Sequence, residues 1–136
     1  MQNHMISSWE LRLDPDDKQK RVFFKIDVPA ANGTTRTVAR RYNQFAAFHE
    51  NILCRVMSDK QLATIGEFPG KRFFGSSTEP AFVEERKKLL QAWLTAVVAV
   101  INEHAVLLPA LEEFLYPADV VENEMLIFRK AKARPP

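Results

Sequence analysis

Residues 34–48 read TTRTVARRYNQFAAF, and the hydrophobic period of the chain changes within this stretch. Residues 34–38 are rich in β-branched side chains, which is typical of a β-strand. From Tyr42 onwards the apolar residues recur at helical spacing, and Asn43 is a candidate N-cap. The stretch therefore predicts a strand that passes directly into a helix, whose core residues are Phe45, Phe48, Ile52 and Val56.

The residues before this stretch predict two further strands. Apolar and polar side chains alternate over residues 9–13, and the pattern ends at Asp-Pro-Asp-Asp, residues 14–17, which is a turn sequence. Residues 21–28 form the second strand, and Asn32-Gly33 is a strong hairpin signal before the third. We expect three antiparallel strands in a meander.

The residues after this stretch predict helices. The first helix fades near residues 57–59, and a Gly/Pro segment, residues 66–70, interrupts regular structure. A second helix begins with Thr78 as its cap and directs apolar side chains to the core, namely Phe82, Leu89, Leu90, Trp93, Leu94, Val97 and Ile101. Residues 110–115 form a short helix, and residues 118–132 form a last amphipathic one. The class is α+β, a three-stranded antiparallel sheet followed by a helical subdomain of three to four helices.

The charge of the chain is nearly balanced, with 19 basic and 17 acidic side chains among 136 residues. Residues 1–128 contain 15 of the basic and all 17 acidic side chains, because the last eight residues contain Arg129, Lys130, Lys132 and Arg134. This balance excludes a histone-like polycation and gives no reason to expect nucleic acid as a partner. With 46% hydrophobic residues, the composition is that of one folded domain.

The sequence contains no recognisable catalytic or metal-binding motif. The single cysteine, Cys54, excludes an internal disulfide, and its apolar helical surroundings predict a core position. Three histidines, His4, His49 and His104, lack metal-ligand spacing, and the glycines of residues 66–72 do not match a phosphate loop. No secretory signal is visible, and the longest apolar run, residues 92–101, is shorter than the roughly 20 residues of a membrane span. We expect neither an enzyme nor a cofactor.

Basic residues cluster at three places along the chain. One cluster ends the third strand, one lies in the Gly/Pro loop, and one lies in the second helix: Arg36, Arg40 and Arg41; Lys71 and Arg72; Arg86, Lys87 and Lys88. The clusters converge only if the fold brings these elements together; otherwise each is a solvated surface charge. Phe73 and Phe74 follow the loop cluster and either pack in the core or form an exposed apolar tip that anchors in a membrane.

Three motifs together resemble the phox-homology (PX) domains of sorting nexins and related trafficking proteins. They are Arg-Arg-Tyr-Asn-Gln-Phe at residues 40–45, Phe-Pro-Gly-Lys at residues 68–71 and Glu-Glu-Arg-Lys-Lys-Leu at residues 84–89. The resemblance implies a PX-like domain over residues 9–117, preceded by an extension, residues 1–8, and followed by a C-terminal helix and basic tail, residues 118–136.

The resemblance also implies a site for a lipid headgroup. Arg41 is similar to the arginine that grips the 3-phosphate of phosphatidylinositol 3-phosphate, and Tyr42 to the aromatic residue that packs on the inositol ring. Lys71 matches the lysine that contacts the 1-phosphate, and Arg86 the helix arginine that binds the 4- and 5-hydroxyls. Arg40, Arg72 and Lys87 are auxiliary basic residues, and Arg40 is more often structural in the family.

The loop that contains Lys71 is both similar to and different from the family pattern. Phe73 and Phe74 occupy the position of the membrane-insertion loop. Gly70 stands where a second proline is common, so an SH3-type partner for this loop is not expected.

The resemblance implies a module that binds phosphatidylinositol 3-phosphate on endosomal membranes in trafficking and protein sorting, as a cytoplasmic, peripheral membrane protein. A protein-interaction module with weak lipid preference is the alternative, with residues 118–132 as a docking helix. Stable residence on a membrane would need a second lipid contact, a protein partner or dimerisation through other parts of a parent protein. The acidic residues 14–17, with Glu112 and Glu113, are expected to lie away from the membrane.

Overall fold

The computed structural model describes residues 4–29, 33–70 and 78–115. Three strands, β1 (Met5–Leu13), β2 (Lys20–Pro29) and β3 (Thr35–Arg41), pair antiparallel in the order β1-β2-β3. The helices are α1 (Tyr42–Phe48), a single turn α2 (Cys54–Val56), α3 (Asp59–Ile65), α4 (Pro80–Glu103) and α5 (Leu108–Leu115). The predicted α+β class and the three-stranded meander are confirmed, and β1 begins earlier than the predicted residue 9.

The register of the sheet brings the end of β1, the start of β2 and the end of β3 to the same end of the sheet. Leu13, the last residue of β1, is opposite Lys20, the first residue of β2. Arg41, the last residue of β3, is opposite Phe23 near the start of β2. The turn between β1 and β2 therefore lies at the same end of the sheet as the junction between β3 and α1.

Phe45 of α1 is at the centre of the core and is completely buried. Its ring makes edge contacts with three other aromatic rings, with centroid distances of 6.1 Å to Phe24, 6.2 Å to Trp93 and 5.2 Å to Phe114. These rings come from β2, α4 and α5, so one side chain joins the sheet to the helices. Offset and edge-on packing of this kind is the favoured geometry for aromatic side chains.

The helix after β3 departs from simple helical spacing because a π-helical segment, His49–Leu53, follows α1. In a π-helical segment the backbone hydrogen bonds join residues five apart and not four apart. The extra residue rotates the buried face of the helix. Leu53 is fully buried as a result, whereas Val56 and Cys54 are exposed. The prediction that Val56 and Cys54 lie in the core is therefore wrong. The N-cap is Arg41 and not the predicted Asn43.

Helix α3 was not expected from the apolar pattern. It begins after Ser58, whose hydroxyl accepts a hydrogen bond from the Gln61 N–H at 3.1 Å, while the Gln61 side chain accepts one from the Ser58 N–H at 2.8 Å. This reciprocal pair is a capping box, and Ser-x-x-Gln is visible in the sequence. The capping signal could have revealed the helix.

Helix α4 begins at Pro80 after Glu79, so Thr78 is not its cap. Leu89 is 45% exposed and Phe82 is only partly buried, so both predicted core positions are wrong. The other five predicted core residues of this helix are buried: Leu90, Trp93, Leu94, Val97 and Ile101.

Within the described residues, no single helix has the length and apolar character to cross a membrane. Helix α4 and the segment Ala105–Leu115 meet these criteria only as a pair bent by 119°. The predicted helix over residues 118–132 lies outside the described residues.

Candidate functional site

A cavity of about 250 Å³ opens where the ends of β2 and β3 meet α4. Four of the side chains that line it are basic and none is acidic: Lys20, Arg21, Arg41 and Arg86. The remaining lining residues are Val22, Phe24, Tyr42, Asn43, Thr78 and Val83. The cavity therefore suits an anionic group of small size.

Arg41 reaches this cavity because it is the last residue of β3 and precedes α1. Its backbone N–H donates to the side-chain oxygen of Gln44 at 2.8 Å, which ties the strand end to the first turn of the helix. Its guanidinium Nη1 donates to the carboxylate of Asp14 at 2.5 Å and to that of Asp17 at 3.4 Å. The Arg41 side chain is 19% exposed, so this charge is largely enclosed by protein.

Asp14 and Asp17 belong to the turn between β1 and β2. The hydrogen bond from the Asp16 N–H, and then the contact with Arg41, hold the pKa of Asp14 below its ordinary value. For Asp17, burial would raise the pKa, but the N–H of Gln19 and the guanidinium of Arg21 bond its carboxylate and lower it on balance. The acidic turn, which is expected from the sequence to lie away from the membrane, contacts the arginine that the resemblance assigns to a phosphate.

Arg86 lies between two aromatic rings beside the cavity. Its Cζ is 3.9 Å from the ring centroid of Tyr42 and 4.5 Å from that of Phe82. The Tyr42 hydroxyl donates to the Pro69 carbonyl at 2.6 Å, and burial raises the pKa of this tyrosine. Cation–π contacts of this kind hold a guanidinium in place without neutralising its charge. The end of β3 and helix α4 therefore lie together at the cavity. This was the condition under which the basic residues of these two elements could form one site.

The loop residues named from the sequence, Lys71, Arg72, Phe73 and Phe74, lie outside the described residues. The chain can be followed to Gly70, which lines a small depression together with Arg86, Phe82 and Pro69. The position directly before Lys71 thus shares this depression with Arg86, which also lines the basic cavity.

Two auxiliary residues do not line the cavity. Arg40 donates to the carbonyls of Phe114 at 2.9 Å and Ala39 at 3.0 Å, which ties β3 to α5. The Lys87 ammonium is 3.7 Å from the Glu84 carboxylate one turn away on α4. The charged groups of Arg40 and Lys87 therefore contact other parts of the protein and do not face the cavity.

Four polar lining residues were missed from the sequence: Lys20, Arg21, Asn43 and Thr78. The pairing of β2 with β1 and β3 places Lys20 and Arg21 at the cavity. From the sequence, only a prediction of the strand order could have indicated this position. Among the described residues, no group of three or more His, Cys, Asp or Glu side chains is arranged to hold a metal ion.

Comparison with known proteins gives the family. The family model of the PX domain matches residues 28–117, which is more than half of the chain, and the chain therefore belongs to the PX domain family. No curated protein sequence matches the chain. The fold is similar to the X-ray structure of a designed CISK-PX domain, with a TM-score of 0.66 and 24% identity, over 85% of this chain and 100% of that chain.

Membership of the family has a functional consequence. PX domains are non-enzymatic lipid-binding modules, and membership implies phosphoinositide binding and membrane targeting. At 24% identity, the similarity to the designed PX domain shows that the two chains share an α+β fold and shows nothing further.

Proposed function

We propose that the chain binds phosphatidylinositol 3-phosphate and serves, as in sorting nexins, to bring a protein to endosomal membranes during trafficking. The observation that carries the proposal is the meeting of Arg41, Tyr42 and Arg86 at one cavity. These are three of the four residues that the family resemblance assigns to the headgroup.

The proposal gives each side chain a role. Arg41 binds the 3-phosphate, because a guanidinium can donate two parallel hydrogen bonds to phosphate oxygens. Arg86, held by Tyr42, donates to the 4- and 5-hydroxyls of the inositol ring, and the ring packs beside Tyr42. Hydrogen bonds that involve a charged group contribute roughly 1.5–3 kcal/mol each, which suits reversible recognition of one headgroup.

The proposal also includes the loop after Gly70. Lys71 contacts the 1-phosphate, Arg72 adds attraction to the anionic surface, and Phe73 and Phe74 insert among the lipids. Gly70 lines a depression together with Arg86, and Lys71 is the next residue in the sequence; this proximity supports the assignment. Burial of each Phe side chain contributes about 1.5–3 kcal/mol, so insertion can add as much as the headgroup contacts.

Vesicle sedimentation tests the proposal. Phosphatidylcholine vesicles that each contain one phosphoinositide should sediment the chain most strongly with phosphatidylinositol 3-phosphate. Arg41→Ala should abolish this binding, whereas Arg55→Ala, which removes an exposed arginine of α2, should leave it unchanged. Equal binding to all vesicles, or retained binding by Arg41→Ala, would reject the proposed specificity or the site. Absence of any lipid preference would favour a protein-interaction module.

A further inference from the structure

We infer that Asp14 is a positioning residue for Arg41: its buried carboxylate holds one nitrogen of the guanidinium, so that the remaining N–H donors meet the ligand phosphate in the cavity. The inference rests on the proposed function for the identity of the ligand. Neither the sequence motifs nor the family match assigns a role to this residue. It lies in the turn between β1 and β2, remote in sequence from the basic motifs.

The first observation is burial. Asp14 is 5% exposed and is the one buried polar or charged residue among those the structure describes. A buried carboxylate is costly unless a positive partner and hydrogen bonds compensate it. Arg41 is that partner, at 2.5 Å. The pair is therefore an integral part of the fold and not a chance surface contact.

The second observation is that the turn holds the Asp14 carboxylate in one orientation. The Asp14 N–H donates to the Gln19 carbonyl, and the Lys18 N–H donates to the Asp14 carbonyl, both at 2.8 Å. The N–H of Asp16 donates to Oδ1 of Asp14, also at 2.8 Å, which leaves Oδ2 for Arg41. The anion is thus fixed before any ligand arrives.

The third observation is the direction of approach. Arg41 lines the basic cavity, whereas Asp14 lines a different cavity of about 320 Å³ that it shares with Arg40 and Gln44. The carboxylate is therefore not a lining group that an incoming phosphate must displace.

The fourth observation is that the aspartates occupy only some of the N–H donors of the Arg41 guanidinium. A guanidinium has five N–H donors, and both aspartate contacts use Nη1. Within the described part of the chain, Nε and Nη2 of Arg41 donate to no other residue. A phosphate in the cavity can take these donors while Asp14 keeps Nη1.

A competing interpretation gives the opposite result. If Asp14 and Asp17 compete with the phosphate for Arg41, removing a carboxylate should strengthen binding. If Asp14 positions Arg41, removing its charge should weaken binding, because the arginine must then be ordered at the moment of binding. Ordering one long side chain corresponds to about a three- to tenfold loss of affinity.

The experiment uses the full chain and the soluble headgroup inositol 1,3-bisphosphate, with titration calorimetry. Asp14→Asn, which keeps an acceptor for the Asp16 N–H, should bind about three- to tenfold more weakly than the wild type. Asp16→Asn is the matched control, since it removes the same charge from an exposed position of the same turn and should bind as the wild type does. In an Arg41→Lys background, Asp14→Asn should have little further effect. Unchanged or tighter binding by Asp14→Asn overturns the inference.

A second measurement needs no ligand, and its first part needs only the wild-type protein. In the wild-type protein, nuclear magnetic resonance of the Arg41 Nε–Hε group should show an ordered guanidinium, and Asp14→Asn should make it mobile. A mobile Arg41 in the wild type rejects the inference even if no lipid binds. If Arg41 is ordered and the wild type fails to bind any phosphoinositide, the proposed function fails while the Asp14–Arg41 positioning stands.

Discussion

The Arg86 guanidinium stacks on the Tyr42 ring, with Cζ 3.9 Å from the ring centroid. Tyr42 follows directly after β3, and Arg86 lies about two turns into α4. Their contact therefore joins two elements that line the basic cavity. The hydroxyl of Tyr42 is used separately, in a hydrogen bond to the Pro69 carbonyl. One residue therefore supports both Arg86 and the start of the loop that contains Lys71.

Tyr42→Phe should separate these two roles. The ring and its cation–π contact remain, so binding of inositol 1,3-bisphosphate should stay within about twofold of the wild type. The hydrogen bond to Pro69 is lost, and the free energy of unfolding in urea should fall by about 1 kcal/mol. A tenfold loss of headgroup binding in this variant would show that the hydroxyl, and not the ring, matters to the ligand.

Arg86→Lys should not be a conservative change at this site. The ammonium of lysine lacks the planar group that lies between Tyr42 and Phe82, and it cannot donate in two parallel directions. We expect headgroup affinity, measured by calorimetry, to fall about tenfold or more. Lys88→Arg makes the reverse exchange at an exposed position of the same helix and should leave the headgroup affinity unchanged.

Leu53→Ala and Val56→Ala should differ strongly in stability, because the π-helical segment buries Leu53 and exposes Val56. Removal of the Leu53 side chain should lower the free energy of unfolding by about 2–5 kcal/mol. The change at Val56 should stay within about 0.5 kcal/mol, as for other surface substitutions. Urea unfolding measures both values, and the reverse order would contradict the rotation of this helix face.

Acid should destabilise the fold in part through Asp14. Its folded pKa is held below the ordinary value of 3.8, so its contribution to stability is present above that pH and is lost as the pH falls through the lower, folded pKa. Stability measured by urea unfolding should therefore decline below about pH 4 more steeply for the wild type than for Asp14→Asn. Identical slopes would mean that Asp14 is not selectively stabilised in its ionised form.

Phe73→Ala combined with Phe74→Ala tests the proposed insertion of the loop. Affinity for vesicles containing phosphatidylinositol 3-phosphate should fall, while binding of the soluble headgroup should stay nearly intact. The reason is that membrane insertion contributes only when a bilayer is present. If both affinities fall together with thermal stability, the two side chains pack in the core.

Several features of the site were visible in the sequence. Residues 40–45 combine the end of a strand, two arginines and an aromatic residue, and the structure places Arg41 and Tyr42 at the cavity. Arg86 was identified by its motif on the second helix, and the structure brings it onto Tyr42. Local order was predictable here because the period of apolar residues reports secondary structure directly.

Other features could not be predicted in this way. The exposure of Val56 depends on a π-turn, which inserts a residue into the hydrogen-bond pattern without a distinct composition. The contact of Asp14 with Arg41 depends on strand register, because a slip by one residue would turn each side chain to the other face. Register is decided by packing of the whole sheet against the helices and not by the turn residues alone.

The sequence by itself determined the α+β order of elements, the family and the residue types that suit a phosphate, because these depend on spacing along the chain. Only the tertiary structure decided that Lys20 and Arg21 join the cavity and that Asp14 lies against Arg41. Distances between side chains on different strands follow from long-range pairing, and electrostatic interactions depend on those distances and on burial. For this reason a turn that reads as a separate acidic surface contacts an arginine of the basic cavity.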